Sequence, residues 1–320
     1  MAAGLAEDLR RFALDSLGFD LVGITTAEPP SGAARLRRWL DRGQHGTMAW
    51  MADSAAERSD LRLFLPGARS VVSAALSYAE AGDAEVEETG VARVARYARR
   101  GDYHAVLKRR LVALGRFLAA RAPGLRWRVA VDTAPVLERE VAARAGLGWM
   151  GRNTCLVNRR YGCELLLGEL VTDLELEPDA PGPNHCGTCT ACVDACPTGA
   201  LTNGKGLDSR TCISYLTIEH RAPFEPAESR SLSDWLFGCD LCLAACPFTQ
   251  RARGRCNPAL ATRPHLRAPR IAELGGLGPE GWLDFSRGTP LRRLDFDRFR
   301  RNLAAVTSNQ AARCRTGRAG

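Results

Sequence analysis

The chain has 320 residues, 45% hydrophobic and 25% charged, with twelve cysteines and a net charge of +8. That composition belongs to a globular protein large enough for two domains, and excludes collagen-like and wholly disordered classes. No apolar run approaches the ~20 residues that cross a bilayer, and residues 1–11 carry charge where a signal peptide is apolar, so the cytoplasm is the expected location.

Taken in chain order, residues 3–17 set Leu5, Leu9, Phe12, Ala13 and Leu17 on one helical stripe. Residues 19–24 read as a strand, 31–43 as a helix, 69–78 as a buried strand and 103–122 as a long helix. A short strand at 127–131 precedes a helix at 135–145, and strands follow near 154–157 and 164–172. Alternating strands and helices predict an α/β (α+β) domain over residues 1–175. A Pro-rich stretch at 177–184 opens a second domain, 176–255. The remainder, 256–320, shows helical segments near 268–275 and 291–306. Its ending, 307–320, has few apolar residues and is expected to be disordered.

Eight of the cysteines fall between positions 186 and 246. The first run is Cys186-x2-Cys189-x2-Cys192-x3-Cys196-Pro197, and the second is Cys239-x2-Cys242-x3-Cys246-Pro247. Thiolates at these separations wrap [4Fe–4S] cubes, and the last cysteine of each run crosses to the other cluster. Cluster one then takes Cys186, Cys189, Cys192 and Cys246. Cluster two takes Cys196, Cys239 and Cys242, and lacks a fourth ligand because Leu236 stands where a full repeat would put cysteine. Cys212, between the runs, is the best candidate. Zinc sites share the Cys-x2-Cys pair but need neither the Cys-Pro endings nor a four-cysteine run. Disulfides are disfavoured for packed cysteines without an export signal. Cys155, Cys163, Cys256 and Cys314 fit no cluster spacing and read as ordinary thiols.

Other motifs are weaker. Gly146-Leu-Gly148-Trp-Met-Gly151 spells a dinucleotide motif, but it follows a helix instead of a strand, so Gly146 reads as a helix C-cap. Asp132 and Thr133 follow a strand and precede Pro135. Either could cap the next helix, and a carboxyl at a strand end is also where ligand sites form. Arg96-Tyr97 and Gly101-Asp102-Tyr103-His104 form a polar aromatic loop in which His104 reads as a surface or capping residue before a metal ligand. From Pro247 to Gly320 there are fifteen Arg, no Lys and five acids, a net of +10, so residues 1–246 sum to −2. That asymmetry suits a polyanion such as nucleic acid, although with only two lysines, Lys108 and Lys205, arginine is the chain's general basic residue.

Together these residues resemble the epoxyqueuosine reductase family. The resemblance is carried by Val131-Asp132-Thr133, Arg139 and Ala143-Arg144-Ala145-Gly146. It also rests on Tyr97 with Gly101-Asp102-Tyr103-His104, His185-Cys186, Cys196-Pro-Thr-Gly-Ala200, and Arg210-x-Cys212-Ile-Ser214-Tyr-Leu-Thr217. It implies a cobalamin-binding first domain similar to that of reductive dehalogenases, then a bacterial-ferredoxin-like domain with two [4Fe–4S] clusters. The implied reaction reduces epoxyqueuosine to queuosine at the tRNA wobble position, the last step of queuosine biosynthesis. Cob(I)alamin, fed by the clusters, would open the epoxide. Asp132, its pKa raised by burial, would be the proton donor. Arg58, Tyr97, Asp132, Asn153, Ser214, Thr217 and Asp240 would lie at or near the corrin, and Cys212 would complete cluster two. The implied partners are a tRNA anticodon stem-loop and a separate electron-donor protein, with no membrane and a monomeric enzyme. The C-terminal region resembles the start of the family's HEAT-like repeats and then stops. Alternatives are a reductive enzyme of this architecture acting on an organohalide, and a plain two-cluster electron-transfer protein.

Overall fold

A computed structural model describes residues 2–80, 87–202, 206–252, 255–260 and 262–316. Helix α1, Ala2–Arg11, widens into a π-helical turn at Phe12–Ser16 and buries Leu9 and Ala13 of the predicted stripe. Strand β1 (Leu21–Thr26), helix α2 (Ala33–Asp41), strand β2 (Ser70–Ser77) and helix α3 (Tyr103–Ala119) follow. Strand β3 (Trp127–Ala130), helix α4 (Glu138–Arg144) and strand β4 (Leu165–Thr172) complete the first segment. The sheet order is β1–β2–β4–β3, and every pair is antiparallel. Of the two forms in the α/β (α+β) expectation, the antiparallel pairing selects α+β. Alternation identifies which segments are strands, but not the end from which each re-enters the sheet.

The sheet is covered on both faces. Every residue of β2 is buried, the pattern of a strand with no solvent side. Its Val72, Ala74 and Leu76 pack with Leu9 of α1 and Leu107, Leu111 and Leu114 of α3. Val71 points the other way, to Leu61, Phe64, Val136 and Val141, and Ala75 joins Ala142, Ala145 and Leu147. Each such aliphatic side chain contributes roughly 1.5–3 kcal/mol by leaving water. Helix α4 ends so near β1 that a Cβ at Gly23 would meet the Ala145 carbonyl oxygen at 2.0 Å. Gly146, at φ +77°, then stops the helix as its sequence predicts. The sandwich thus fixes the end of β3 and the start of α4, and the loop between them carries Asp132.

The cysteine-rich segment holds two short helices, Ala191–Asp194 and Leu241–Ala244, packed side by side. Between them lie helix α5 (Ile213–Ile218) and strand β5 (Trp235–Phe237), which pairs in parallel with Arg93–Val94 of the first segment. Helix α6, Phe296–Thr316, covers β5. Trp282 stacks on Phe299 at 3.9 Å within this second core. Residues 307–316 continue α6, which corrects the expected disorder; residues 317–320 lie outside the described residues. Polar side chains hold that end. Asn309 Nδ2 donates to Ser229 O at 2.8 Å, Gln310 Nε2 to Val91 O at 2.8 Å, and Arg313 Nη1 to Ser233 Oγ at 2.9 Å.

Candidate active site and cluster centres

Cys186, Cys189, Cys192 and Cys246 line one cavity of about 220 Å³, with Asn153, His185 and Phe248 in its wall. Trp149, buried beside them, donates Nε1–H to Cys186 Sγ at 3.3 Å. Cys246 is held down to about 6, first by the Cys163 thiol and then by the N–H groups of Thr249 and Phe248, against burial. Backbone N–H groups aimed at a cysteine sulfur are what a cluster ligand needs, and Cys246 has them, whereas burial pushes the Cys192 thiol up. Among the described residues no three His, Cys, Asp or Glu side chains converge as a single ion requires.

The second set gathers around Cys212. Cys239 and Cys242 both feel the Cys212 charge, and Cys212 feels Cys196. Burial pushes the Cys239 thiol up to about 12 and Cys242 further. Water alone gives such thiols no reason to ionise; iron does. Backbone N–H groups of Tyr215 and Ser214 face the Cys212 sulfur, and that of Leu241 faces Cys239. Leu236, the gap in the repeat, is wholly buried in the C-terminal core.

Asp132 sits beyond β3 at φ +51°, a left-handed backbone for a non-glycine residue, costing on the order of 1–3 kcal/mol. Its N–H donates to Glu138 Oε1 at 2.5 Å, and Arg58 Nη1 donates to the Val136 carbonyl of the same loop at 3.1 Å. The capping alternative for Asp132 and Thr133 is therefore corrected, since α4 begins only at Glu138. Asp132 Oδ2 meets His104 Nε2 at 2.9 Å, and His104 Nδ1 meets Asp102 Oδ1 at 2.7 Å. The Asp102 and Asp132 carboxylates raise His104 to about 9 against burial, so both ring nitrogens donate near neutral pH. Burial alone would raise Asp132, but His104, Arg293 and Arg139 outweigh it and leave the carboxyl below its ordinary value. The expected upward shift of Asp132 is thus reversed.

The remaining predicted residues divide. Tyr97 lies near enough to Asp132 and Arg293 to feel both, and packs edge-on to Tyr103 at 6.3 Å. Arg58, buried, reaches the same loop. Asn153 belongs to the cluster wall, donating to Cys163 Sγ at 3.3 Å. Asp240 is buried and accepts the Arg96 N–H at 2.6 Å beside Cys239. Ser214 lies on α5 next to Cys212. Thr217 is not brought to the Asp132 side: wholly buried, its hydroxyl donates to Ile213 O at 2.8 Å and accepts Gly238 N–H at 2.9 Å, steadying the turn into Cys239. His104, Glu138 and Arg293 escaped sequence reasoning as site residues. Asp102, which caps α3 by accepting the His104 N–H at 3.0 Å, is the local signal that could have aimed the imidazole.

A second cavity, of about 140 Å³, is lined by Tyr103, Asp132, Glu138, Arg139, Leu156 and Cys163 among others. Cys163 therefore borders the Asp132 cavity while bonding Cys246 of the first cluster set. Two family profiles match the chain, one described as "4Fe-4S double cluster binding domain" over residues 185–249, the other as "Epoxyqueuosine reductase QueG, DUF1730" over 58–133. The epoxyqueuosine reductase of Gloeobacter violaceus is 43% identical over 297 residues, covering 90% of this chain and 91% of its own. The chain belongs to the epoxyqueuosine reductase family. The Escherichia coli reductase is 37% identical over 95% of this chain and 81% of its own. A crystal structure of epoxyqueuosine reductase with an epoxyqueuosine-modified tRNA-Tyr stem loop has a TM-score of 0.88 at 29% identity, covering 96% of this chain and 82% of that one. The Bacillus subtilis reductase, solved with its catalytic loop swung out of the active site, has a TM-score of 0.84 at 28% identity, with the same coverage. A reductive dehalogenase, at 17% identity and TM-score 0.51 over 98% of this chain and 37% of its own, shares the fold alone. As an epoxyqueuosine reductase the chain is an oxidoreductase with a double [4Fe–4S] domain. Among the described residues no helix is long and apolar enough to cross a membrane.

Proposed function

We propose that this epoxyqueuosine reductase acts on the wobble nucleoside of a tRNA anticodon loop, and that Arg58, Tyr97, Asp132, Asn153, Ser214 and Asp240 would hold its cobalamin. The carrying observation is Cys163, which lines the Asp132 cavity and hydrogen-bonds Cys246 of the first cluster set, so the acid site adjoins a cluster ligand. Converting the epoxide to an alkene removes one oxygen as water and takes two electrons and two protons. The cofactor, when bound, supplies the reactive metal centre that gathers electrons arriving singly from the clusters. This chain's residues do the rest. Tyr97, Arg58 and Asp132 face the reacting side, and Asn153, Ser214 and Asp240 border the cluster side. Thr217 acts by holding the Cys239 turn.

One of the two protons the departing oxygen takes is stored on His104 and passes through Asp132, and the second comes from solvent. A carboxylate below its ordinary pKa holds no proton of its own near neutrality, whereas the imidazolium 2.9 Å away does. The wobble base is already single-stranded, so splaying it toward the pocket costs little. In this chain too the Asp132 loop opens to admit substrate, as the swung-out loop of the B. subtilis relative supports. The Arg-rich helices after residue 256 make phosphate contacts and correspond to the start of a HEAT-like array, and electrons come from a separate donor protein.

The test is anaerobic reconstitution with iron, sulfide and cobalamin quantitation, then mass spectrometry of tRNA nucleosides. About eight irons, bound cobalamin and conversion of epoxyqueuosine to queuosine are expected. Zinc in place of iron, or protein that takes up no cobalamin, overturns the reading.

A further inference from the structure

Beneath the Asp132 loop lie two acids that the proton path does not use. Glu138, the first residue of α4, holds the Asp132 N–H at 2.5 Å and so fixes its left-handed backbone. Burial, with the Asp132 charge, raises Glu138 to about 7, against the Asp132 N–H, Arg139 and Arg58. Glu169, on the central strand β4, is wholly buried. Its Oε1 meets Ser73 Oγ at 3.4 Å, while its Oε2 has no hydrogen-bond partner among the described residues. Burial, and then the Glu138 charge, raise Glu169 well above its ordinary value. Two acids that raise one another, one of them wholly buried, do not readily both ionise. Glu169 keeps its proton near neutrality, and Glu138 is the member that changes charge.

We propose that Glu138 is a positioning residue whose ionised carboxylate latches the Asp132 loop over the reaction cavity, and that taking up a proton releases the loop. The proposal rests on Asp132 belonging to the proton path described above. A hydrogen bond to an ionised acceptor is about twice as strong as one to a neutral acceptor. The latch therefore tightens as pH rises through about 7 and loosens as pH falls. The groups facing Glu138 are Asp132 from the loop, Arg139 from α4, Arg58 from the short helix at Ala55–Ser59, Glu169 from β4, and Tyr103 from α3, whose phenol burial keeps neutral. Asp132 is already ionised in that range, Glu169 stays protonated and both arginines stay charged. His104, one contact further away, keeps its proton to about 9.

The test is hydrogen–deuterium exchange of the amides of residues 131–137 in the cluster- and cobalamin-loaded protein without tRNA, corrected for intrinsic exchange. Wild-type protection should fall several-fold from about one pH unit above 7 to one below. Glu138→Gln, neutral and of the same shape, should show the low protection at both values. In turnover, that variant should lose the acidic limb near 7, with kcat reduced several-fold and KM for tRNA little changed. Wild-type protection that does not vary with pH overturns the latch, and so does full protection in Glu138→Gln. The wild-type series needs no variant to fold, and exchange without substrate reads the latch independently of chemistry. Asp132→Asn retaining turnover would remove Asp132 from the proton path while leaving the pH dependence of exchange to judge Glu138.

Discussion

At Asp132, burial and paired charge oppose one another, and charge wins. Asp132→Asn should keep both clusters and cobalamin while turnover falls by roughly 10²–10⁴, the usual worth of a positioned proton donor; iron content and single-turnover kinetics check both halves. His104 carries a sign of its own. Its folded pKa of about 9 lies above the ordinary 6.5. Its stabilisation is therefore full below 6.5 and lost as pH rises through about 9. Activity should fall over the same alkaline range, and His104→Gln should abolish that limb while narrowing the melting-temperature gap to wild type above it. Trp149 makes a further residue-scale prediction. Its N–H to Cys186 Sγ withdraws charge from a cluster ligand, and hydrogen bonds to cluster sulfur raise reduction potentials. Trp149→Phe keeps the ring and should lower the midpoint of the first cluster in an EPR titration; an unchanged midpoint defeats the idea. The cysteines were legible in sequence because iron ligation works at fixed separations. His104 was not, because it meets Asp132 only when the start of α3 and the end of β3 are brought together, 28 residues apart.

At the scale of elements, sequence periodicity located β2, α3 and β4 because each buries a continuous apolar face. It failed at the end of α6, where the contacts are hydrogen bonds from Asn309, Gln310 and Arg313 to loop atoms. Polar residues in such a helix look like a solvated tail until their acceptors are seen. The start of α4 departs from its sequence signal for a related reason: Pro135 suggests a first turn, but the Asp132 loop continues to Leu137. The same helix α6 supplies a stability test. Asn302 is wholly buried and its Nδ2 donates to Thr217 O at 2.8 Å and Leu236 O at 3.0 Å. Asn302→Leu leaves two buried carbonyls unpaired at about 1–3 kcal/mol each. The anaerobic denaturant midpoint should drop accordingly.

For the whole molecule, the open question in the sequence was what the C-terminal charge is for. The formal excess after Pro247 is +10, yet the fold uses part of it internally. Arg270 pairs with Glu88, Arg293 with Glu219 and Arg313 with Asp234, all acids from the rest of the chain. Arg301 is tied to the carbonyls of Leu216, His220 and Ala222, where it fastens α6 to the cluster segment. Three pairings with outside acids bring the region's local excess down from +10 toward +7. Each phosphate neutralised contributes roughly −0.7 to −0.9 to the slope of log K against log salt. The tRNA stem-loop should therefore bind with a clearly negative slope no steeper than about −6, measured by anaerobic anisotropy across a salt series. A flat response would remove the basic surface from recognition. A steeper one would mean that the internal pairs open to phosphate, and then Glu219→Gln, which frees Arg293, would leave affinity unchanged instead of strengthening it.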